Sequence, residues 1–173
     1  MEDQDNKKHK VFLVDDDTKH LVMLKNHMEK KSSYNLEISI FSNGESCLER
    51  MHERPSVVVL DYYLDGIRAD AANGLEILKK IKKDYPDSAV IMMSGQDNIK
   101  VAVDTIDNGA YDYIIKGESA YIRAQMITDH ILKNQNMEQF MVDQKKKENI
   151  LIGMVIFLFV MLITFAVLNR GFI

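Results

Sequence analysis

Apolar residues fall into two alternating rhythms along most of the chain. Val57–Leu60 (VVVL) and Ala89–Met93 (AVIMM) are continuous apolar runs, the mark of strands buried on both faces. Lys10–Val14 is a short β-branched and apolar run ending in acids, and Tyr111–Ile115 is a further strand. Leu36–Phe41 alternates, with Leu36, Ile38 and Ile40 expected inward and Glu37 and Ser39 outward. Helical spacing fills the intervals. Leu21, Leu24 and Met28 mark a helix over Thr18–Lys31, and Leu48 and Met51 mark one over Glu45–Arg54. Leu75, Leu78 and Ile81 mark a third over Gly74–Lys83. Lys100–Asn108 follows with Gly109 as its C-cap, and the chain is helical again from Glu118. Ser42–Asn43–Gly44 reads as a turn, and Pro55 and Pro86 stop the helices before them.

Five strands therefore alternate with five helices through short connections. That order predicts an α/β domain: a parallel sheet covered by helices on both faces. Ligands of such sheets sit beyond the carboxyl ends of the strands.

The pattern changes at the C-terminal end. Ile150–Leu168 runs nineteen residues without a charge. As a helix it would be about 28 Å long, close to the roughly 30 Å hydrocarbon core of a bilayer. A helix apolar all round has no soluble surface to present. The segment is expected to cross a membrane as a single transmembrane helix from Ile150 to Leu168. Lys145, Lys146 and Lys147 precede it against Arg170 after it, which favours the body on the cytoplasmic side of the inner membrane. The resulting division is a disordered N-terminus over 1–9, the α/β domain over 10–132, a helical stalk over 133–149, the span over 150–168 and a short tail over 169–173. In the stalk Met137, Phe140 and Met141 are spaced helically, in too broken a pattern for a regular coiled coil.

Charge narrows the partners. All 26 acidic residues and 21 of the 22 basic ones precede Ile150, leaving that part at −5. An acidic body argues against nucleic acid as a partner. The single cysteine, Cys47, excludes a disulfide framework and a cysteine-rich zinc site, and is expected in the core.

Four predicted strand ends carry the candidate chemistry. The first ends in Asp15, Asp16 and Asp17, the third in Asp61, the fourth in Ser94 and the fifth in Lys116. Clustered carboxylates repel, each pair by about 4 kcal/mol at about 4 Å and an effective dielectric of about 20. A divalent cation relieves that repulsion, and oxygen-only ligands select Mg²⁺ or Mn²⁺. A carboxylate beside such an ion and a lysine is a competent nucleophile toward phosphorus, and a nearby hydroxyl can donate to a phosphoryl oxygen.

The pieces VFLVDDD, VVVLDYYL, GLEILKKIKK, IMMSGQ and GAYDYIIK, in this order, resemble the receiver domains of two-component response regulators. The resemblance spans about Lys10 to Ile131. It implies a flavodoxin-like doubly wound sheet and phosphorylation of Asp61 by a histidine kinase or a phosphotransfer protein. It places Asp15, Asp16, Asp61 and the backbone carbonyl of Tyr63 at the metal, with Asp16 a more direct ligand than Asp15. Ser94 becomes the switch hydroxyl, Tyr113 the switch aromatic and Lys116 the phosphate-binding lysine, and the small Gly95 leaves room for phosphate. It further implies a phospho-acceptor rather than an enzyme.

Two features depart from that family. Lys116 is followed by Gly117 instead of proline, so a trans peptide is expected, since a cis bond without proline costs about 2.5–4 kcal/mol. The loop from Asp61 to Gly74 is longer than the family norm and adds Asp65 and Asp70, expected to be solvated. Neither Tyr63 nor Gln96, which would flank an attacking water, is a general base, so slow self-dephosphorylation is expected. The expected whole is a membrane-tethered receiver without an output domain, working with a downstream protein, membrane lipid and, in one allowed assembly, a second copy of itself. A phosphorylation-independent scaffold is the alternative. An aspartate-nucleophile phosphohydrolase is disfavoured because Tyr63 stands where such enzymes need a second acid. His130 lacks the flanking pattern of a phosphorelay histidine.

Overall fold

In a computed structural model, residues 7–64, 73–95 and 97–170 are described, with side chains to residue 165. The chain divides into two compact units, Met1–Leu132 and Lys133–Ile173.

The first unit holds β1 (His9–Val14), α1 (Thr18–Lys31), β2 (Leu36–Phe41), α2 (Gly44–Arg50), β3 (Val57–Asp61), α3 (Gly74–Asp84), β4 (Ala89–Ser94), α4 (Ile99–Asp107), β5 (Asp112–Ile115) and the start of α5 (Ala120–Arg170). All strands are parallel, in the order β2-β1-β3-β4-β5. The chain winds outward in both directions from β1 and β3, which makes the boundary between those two strands the switch point of a flavodoxin-like sheet.

Continuous apolar strands feed two cores. Val11, Leu13, Val57, Val59, Ile91 and Met93 point toward α1 and α5, where Leu21, Leu24, Met28, Ala124 and Leu132 meet them. Phe12, Val14, Val58, Leu60, Val90 and Met92 point the other way, toward Cys47 of α2 and Ile77, Leu78 and Ile81 of α3. Each fully buried Val or Leu contributes about 1.5–3 kcal/mol relative to an exposed one. Cys47 is fully buried, as expected.

Short polar side chains start the helices. Asp17, Asn43, Asn73 and Asn98 each accept backbone N–H groups of the first turn of α1, α2, α3 and α4. Gly109 ends α4 at φ +92°, a conformation that costs a side-chain-bearing residue but not glycine.

Three local expectations are corrected. Ile40 is exposed and Phe41 buried, on a strand that forms the edge of the sheet. α2 ends at Arg50 and tightens into a 3₁₀ turn over Met51–Glu53, with Arg54 left-handed at φ 52° ahead of Pro55. β1 opens one residue early, at a buried His9 whose N–H donates to Asn35 O at 2.9 Å.

In the second unit the helix is exposed throughout, from Met137, Phe140 and Met141 to the apolar run Ile150–Phe165. By length and composition α5 is the one helix among the described residues that could cross a membrane.

Candidate functional site

The parallel register of β1 and β3 pairs Val14 with Leu60. The next residues are Asp15 and Asp61, so the fold sets two carboxylates side by side at the switch point. Both are buried, at 3% and 4% exposure, and Asp16 beside them is half-buried. One carboxylate oxygen from each of Asp15, Asp16 and Asp61 lies within 4.8 Å of the others.

β5 brings the cation. Ser94 pairs with Ile115, and the Lys116 N–H donates to Ser94 O at 2.7 Å. From there Lys116 Nζ reaches Asp15 Oδ2 at 2.7 Å and Asp61 Oδ2 at 2.9 Å. The Lys116–Gly117 peptide is trans, as expected. Burial pulls the ammonium down, but its two carboxylate partners outweigh this and hold Lys116 above the ordinary lysine range.

The two buried acids differ in their partners. Burial pushes Asp15 up, but His20 Nδ1, Lys116 Nζ and the Asp17 N–H all donate to it and bring it below the usual carboxylate range. Among the described residues, Asp61 has Lys116 as its one charged partner. Burial dominates there, with the charges of Asp15 and Asp16 adding to it against the pull of Lys116, and its carboxyl is pushed up to about 6. Asp61 Oδ1 is buried with no hydrogen-bond partner among the described residues. A buried carboxylate with an unsatisfied acceptor, inside a cluster of three acids, fits a small divalent cation with oxygen ligands.

The backbone after Asp61 is tightly fixed. The Tyr62 N–H donates to Met93 O at 2.8 Å and the Gly74 N–H to Tyr62 O at 2.9 Å. A Cβ at Gly74 would overlap the Asp61 carbonyl oxygen and Tyr62 Cα, so glycine is what lets α3 start against the end of β3. The Tyr63 ring is 37% exposed and meets the Tyr62 ring edge-on at 4.9 Å. Ser94 is fully buried at the end of β4, and Tyr113 is half-buried against the core on the α2–α3 side. Among the described residues, a Cβ at Gly95 would meet nothing within 4 Å. Asp17 caps α1, accepting from the N–H groups of Lys19 at 2.8 Å and His20 at 3.2 Å. Asp65, Asp70 and Gln96 lie outside the described residues, as does the side chain of Leu168.

The structure thus brings Asp15, Asp16, Asp61 and Lys116 together at one edge, with Ser94 at the end of the strand between β3 and β5. Sequence reasoning missed His20, which touches Asp15, and Tyr121, whose ring centroid lies 5.1 Å from that of His20. The signal available was His20's place in the first turn of a helix that begins directly after the acids. Sequence reasoning also missed the tight packing at Gly74.

The profile of the Response regulator receiver domain family matches residues 11–127. The nitrogen assimilation regulatory protein NtrX of Azorhizobium caulinodans is 33% identical over 131 residues, covering 76% of this chain and 28% of that protein. The chain therefore spans less than a third of that curated relative. The crystal structure of NtrX from Brucella abortus is similar with a TM-score of 0.67 at 29% identity, over 81% of this chain and 31% of that one. The BeF3-activated receiver domain of DrrB from Thermotoga maritima is similar with a TM-score of 0.62 at 25% identity, over 73% of this chain and 99% of that one.

Proposed function

This chain belongs to the response regulator receiver domain family, and on that premise we propose that Asp61 is its phospho-acceptor. Receiver domains are phospho-acceptors of two-component signalling. They bind Mg²⁺ at an acidic cluster and interact with histidine kinases or phosphotransfer proteins.

The observation that carries the assignment is Asp61 Oδ1, a buried acceptor without a partner among the described residues, on the carboxylate whose other oxygen meets Lys116. An Asp61 oxygen attacks the phosphorus of a phosphohistidine, the P–N bond breaks, and its electron pair returns to the imidazole nitrogen. Asp15, Asp16, Asp61 and the carbonyl of Tyr63 would hold the cation, Mg²⁺ or Mn²⁺, which when bound would neutralise charge on the phosphoryl oxygens. Lys116 supplies the second positive charge, Ser94 donates its hydroxyl to a phosphoryl oxygen, and Tyr113 follows Ser94 as the switch aromatic that a downstream protein reads. Tyr63 is no general base, so the acyl phosphate hydrolyses slowly.

The receiver over 10–132 is followed in this reading by a stalk over 133–149 and a transmembrane anchor over 150–168. The exposed apolar face of that helix supports the anchor, as do Lys145, Lys146 and Lys147 before it, each worth about 1 kcal/mol at an anionic surface. The receiver then faces the cytoplasm.

The test is incubation of the full chain with acetyl phosphate, followed by phosphate-affinity electrophoresis. A shifted band that needs Mg²⁺, and that is lost on chelation and in Asp61→Asn, is expected. A band of equal intensity in Asp61→Asn would overturn the assignment.

A further inference from the structure

Two donors converge on one oxygen of the acid site. Asp15 Oδ2 accepts from Lys116 Nζ at 2.7 Å and from His20 Nδ1 at 2.7 Å, while Asp15 Oδ1 accepts the Asp17 N–H at 2.9 Å. His20 is well placed to hold its end. Its side chain is 14% exposed, its backbone N–H is tied to Asp17 Oδ1, and its ring lies against Tyr121 at the start of α5. The contact needs only a proton on Nδ1, which the neutral imidazole carries in that tautomer.

Resting on the phospho-acceptor reading of Asp61, we infer that His20 is a positioning residue that releases Lys116 to the phosphoryl group, by keeping Asp15 Oδ2 hydrogen-bonded when the ammonium leaves it. In the resting site Lys116 divides its donors between Asp15 and Asp61. Once Asp61 carries a phosphoryl group, the ammonium is drawn toward the new phosphoryl oxygens and away from Asp15. Were Lys116 the sole donor to Asp15 Oδ2, that movement would strip a buried carboxylate oxygen of its partner, which is costly. His20 stays behind and keeps the oxygen satisfied. Its loss therefore penalises the phosphorylated state more than the resting one.

The consequence is a split between cation binding and phosphoryl binding. Of the three carboxylates at the cation site, Asp15 alone hydrogen-bonds to His20 among the described residues, while Asp16 and the orphaned Asp61 Oδ1 would meet the cation without it. Mg²⁺ affinity feels His20 only through Asp15, one of several cation ligands, and so depends on it less than the affinity for a phosphoryl group, which depends on it through Lys116.

The experiment is calorimetric titration of the full chain in detergent micelles, first with Mg²⁺ and then with beryllofluoride at saturating Mg²⁺. Beryllofluoride on a carboxylate stands in for the phosphoryl group. In His20→Leu, beryllofluoride binding is expected to weaken about tenfold while Mg²⁺ affinity stays within about threefold of wild type. His20→Asn, whose amide N–H falls near the Nδ1 position, is expected to restore beryllofluoride binding. His20→Gln, whose donor sits one bond farther out, is not. Wild-type beryllofluoride affinity in His20→Leu would overturn the inference. So would parallel losses in both titrations for all three variants, the mark of a packing role alone. Should His20→Leu fail to fold, the Asn and Gln variants decide, and equal affinities in those two overturn the inference. Wild-type protein that binds Mg²⁺ but no beryllofluoride would instead overturn the phospho-acceptor reading, and the inference with it.

Discussion

Lys116 Nζ lies 2.9 Å from Asp61 Oδ2, so the charge at the end of β5 reaches across β4 to the acid at the end of β3. The same ammonium holds Asp15 Oδ2, and one cation thereby ties together three strand ends.

Removing that cation leaves two buried carboxylates facing each other. Lys116→Met is expected to destabilise the metal-free protein by about 2–4 kcal/mol. The partial exposure of the lysine keeps the loss below that of a fully buried pair. Mg²⁺ can take over part of the neutralisation, so the deficit should shrink when it is added. Urea denaturation with and without Mg²⁺ measures both. An equal deficit in the two conditions would show that Lys116 acts apart from the acid cluster.

Asp61 sets a pH dependence of unusual sign. Its folded carboxyl is pushed up to about 6 from an ordinary 3.8, chiefly by burial. The native state therefore holds this proton more tightly than the unfolded chain does, and stability falls as pH rises through that window. At pH 7 the ionised carboxylate is a net cost. Asp61→Asn is expected to stabilise the metal-free protein at neutral pH by about 1–3 kcal/mol, with the gain vanishing by about pH 4. Asp15 behaves oppositely: its lowered pKa gives stability that is present above the unfolded value and lost as pH falls below it. Melting curves of wild type and Asp61→Asn across pH 4–8 in chelator check the difference between the two proteins.

Gly74 should be intolerant of even one methyl group. A Cβ there would overlap the Asp61 carbonyl oxygen, and the Gly74 N–H bond to Tyr62 O prevents easy retreat. Gly74→Ala is expected to cost about 1–3 kcal/mol and to displace the acceptor. The measurements are thermal melting and the rate of labelling by acetyl phosphate. Unchanged labelling would mean that the Asp61 backbone is not held by α3.

Partition between membrane and solution tests the C-terminal reading. Among the described residues, the buried apolar side chains lie between Val11 and Leu132, so deletion of 150–173 is expected to leave a folded, soluble receiver with an unchanged melting temperature. The full chain should sediment with membranes and resist alkaline carbonate. Release of the full chain by carbonate would contradict a spanning helix.

Much of this arrangement is legible in the residues alone, for a physical reason. α1 and β2 fall on Thr18–Lys31 and Leu36–Phe41 as expected, because caps and apolar rhythm are local signals. Asp15, Asp61 and Lys116 could be placed at one edge because the carboxyl ends of parallel strands share an edge whatever the packing. What was illegible depends on how elements meet. Ile40 looks inward by alternation, yet it lies on an edge strand and stays 39% exposed. His20 reads as one more residue of an amphipathic helix until the first turn of α1 folds back over Asp15. Gly74 reads as the end of a loop, and only the packed start of α3 shows that a side chain would not fit.

The most direct measurement of the central claim is the position of the acyl phosphate itself. The chain is labelled with acetyl phosphate and Mg²⁺, reduced with borohydride, which converts a phosphorylated aspartate to homoserine, and sequenced by tandem mass spectrometry. Homoserine at position 61 and at no other aspartate is the predicted result. Homoserine at Asp15, Asp16 or Asp17, or none at all from a chain that binds Mg²⁺, would contradict it.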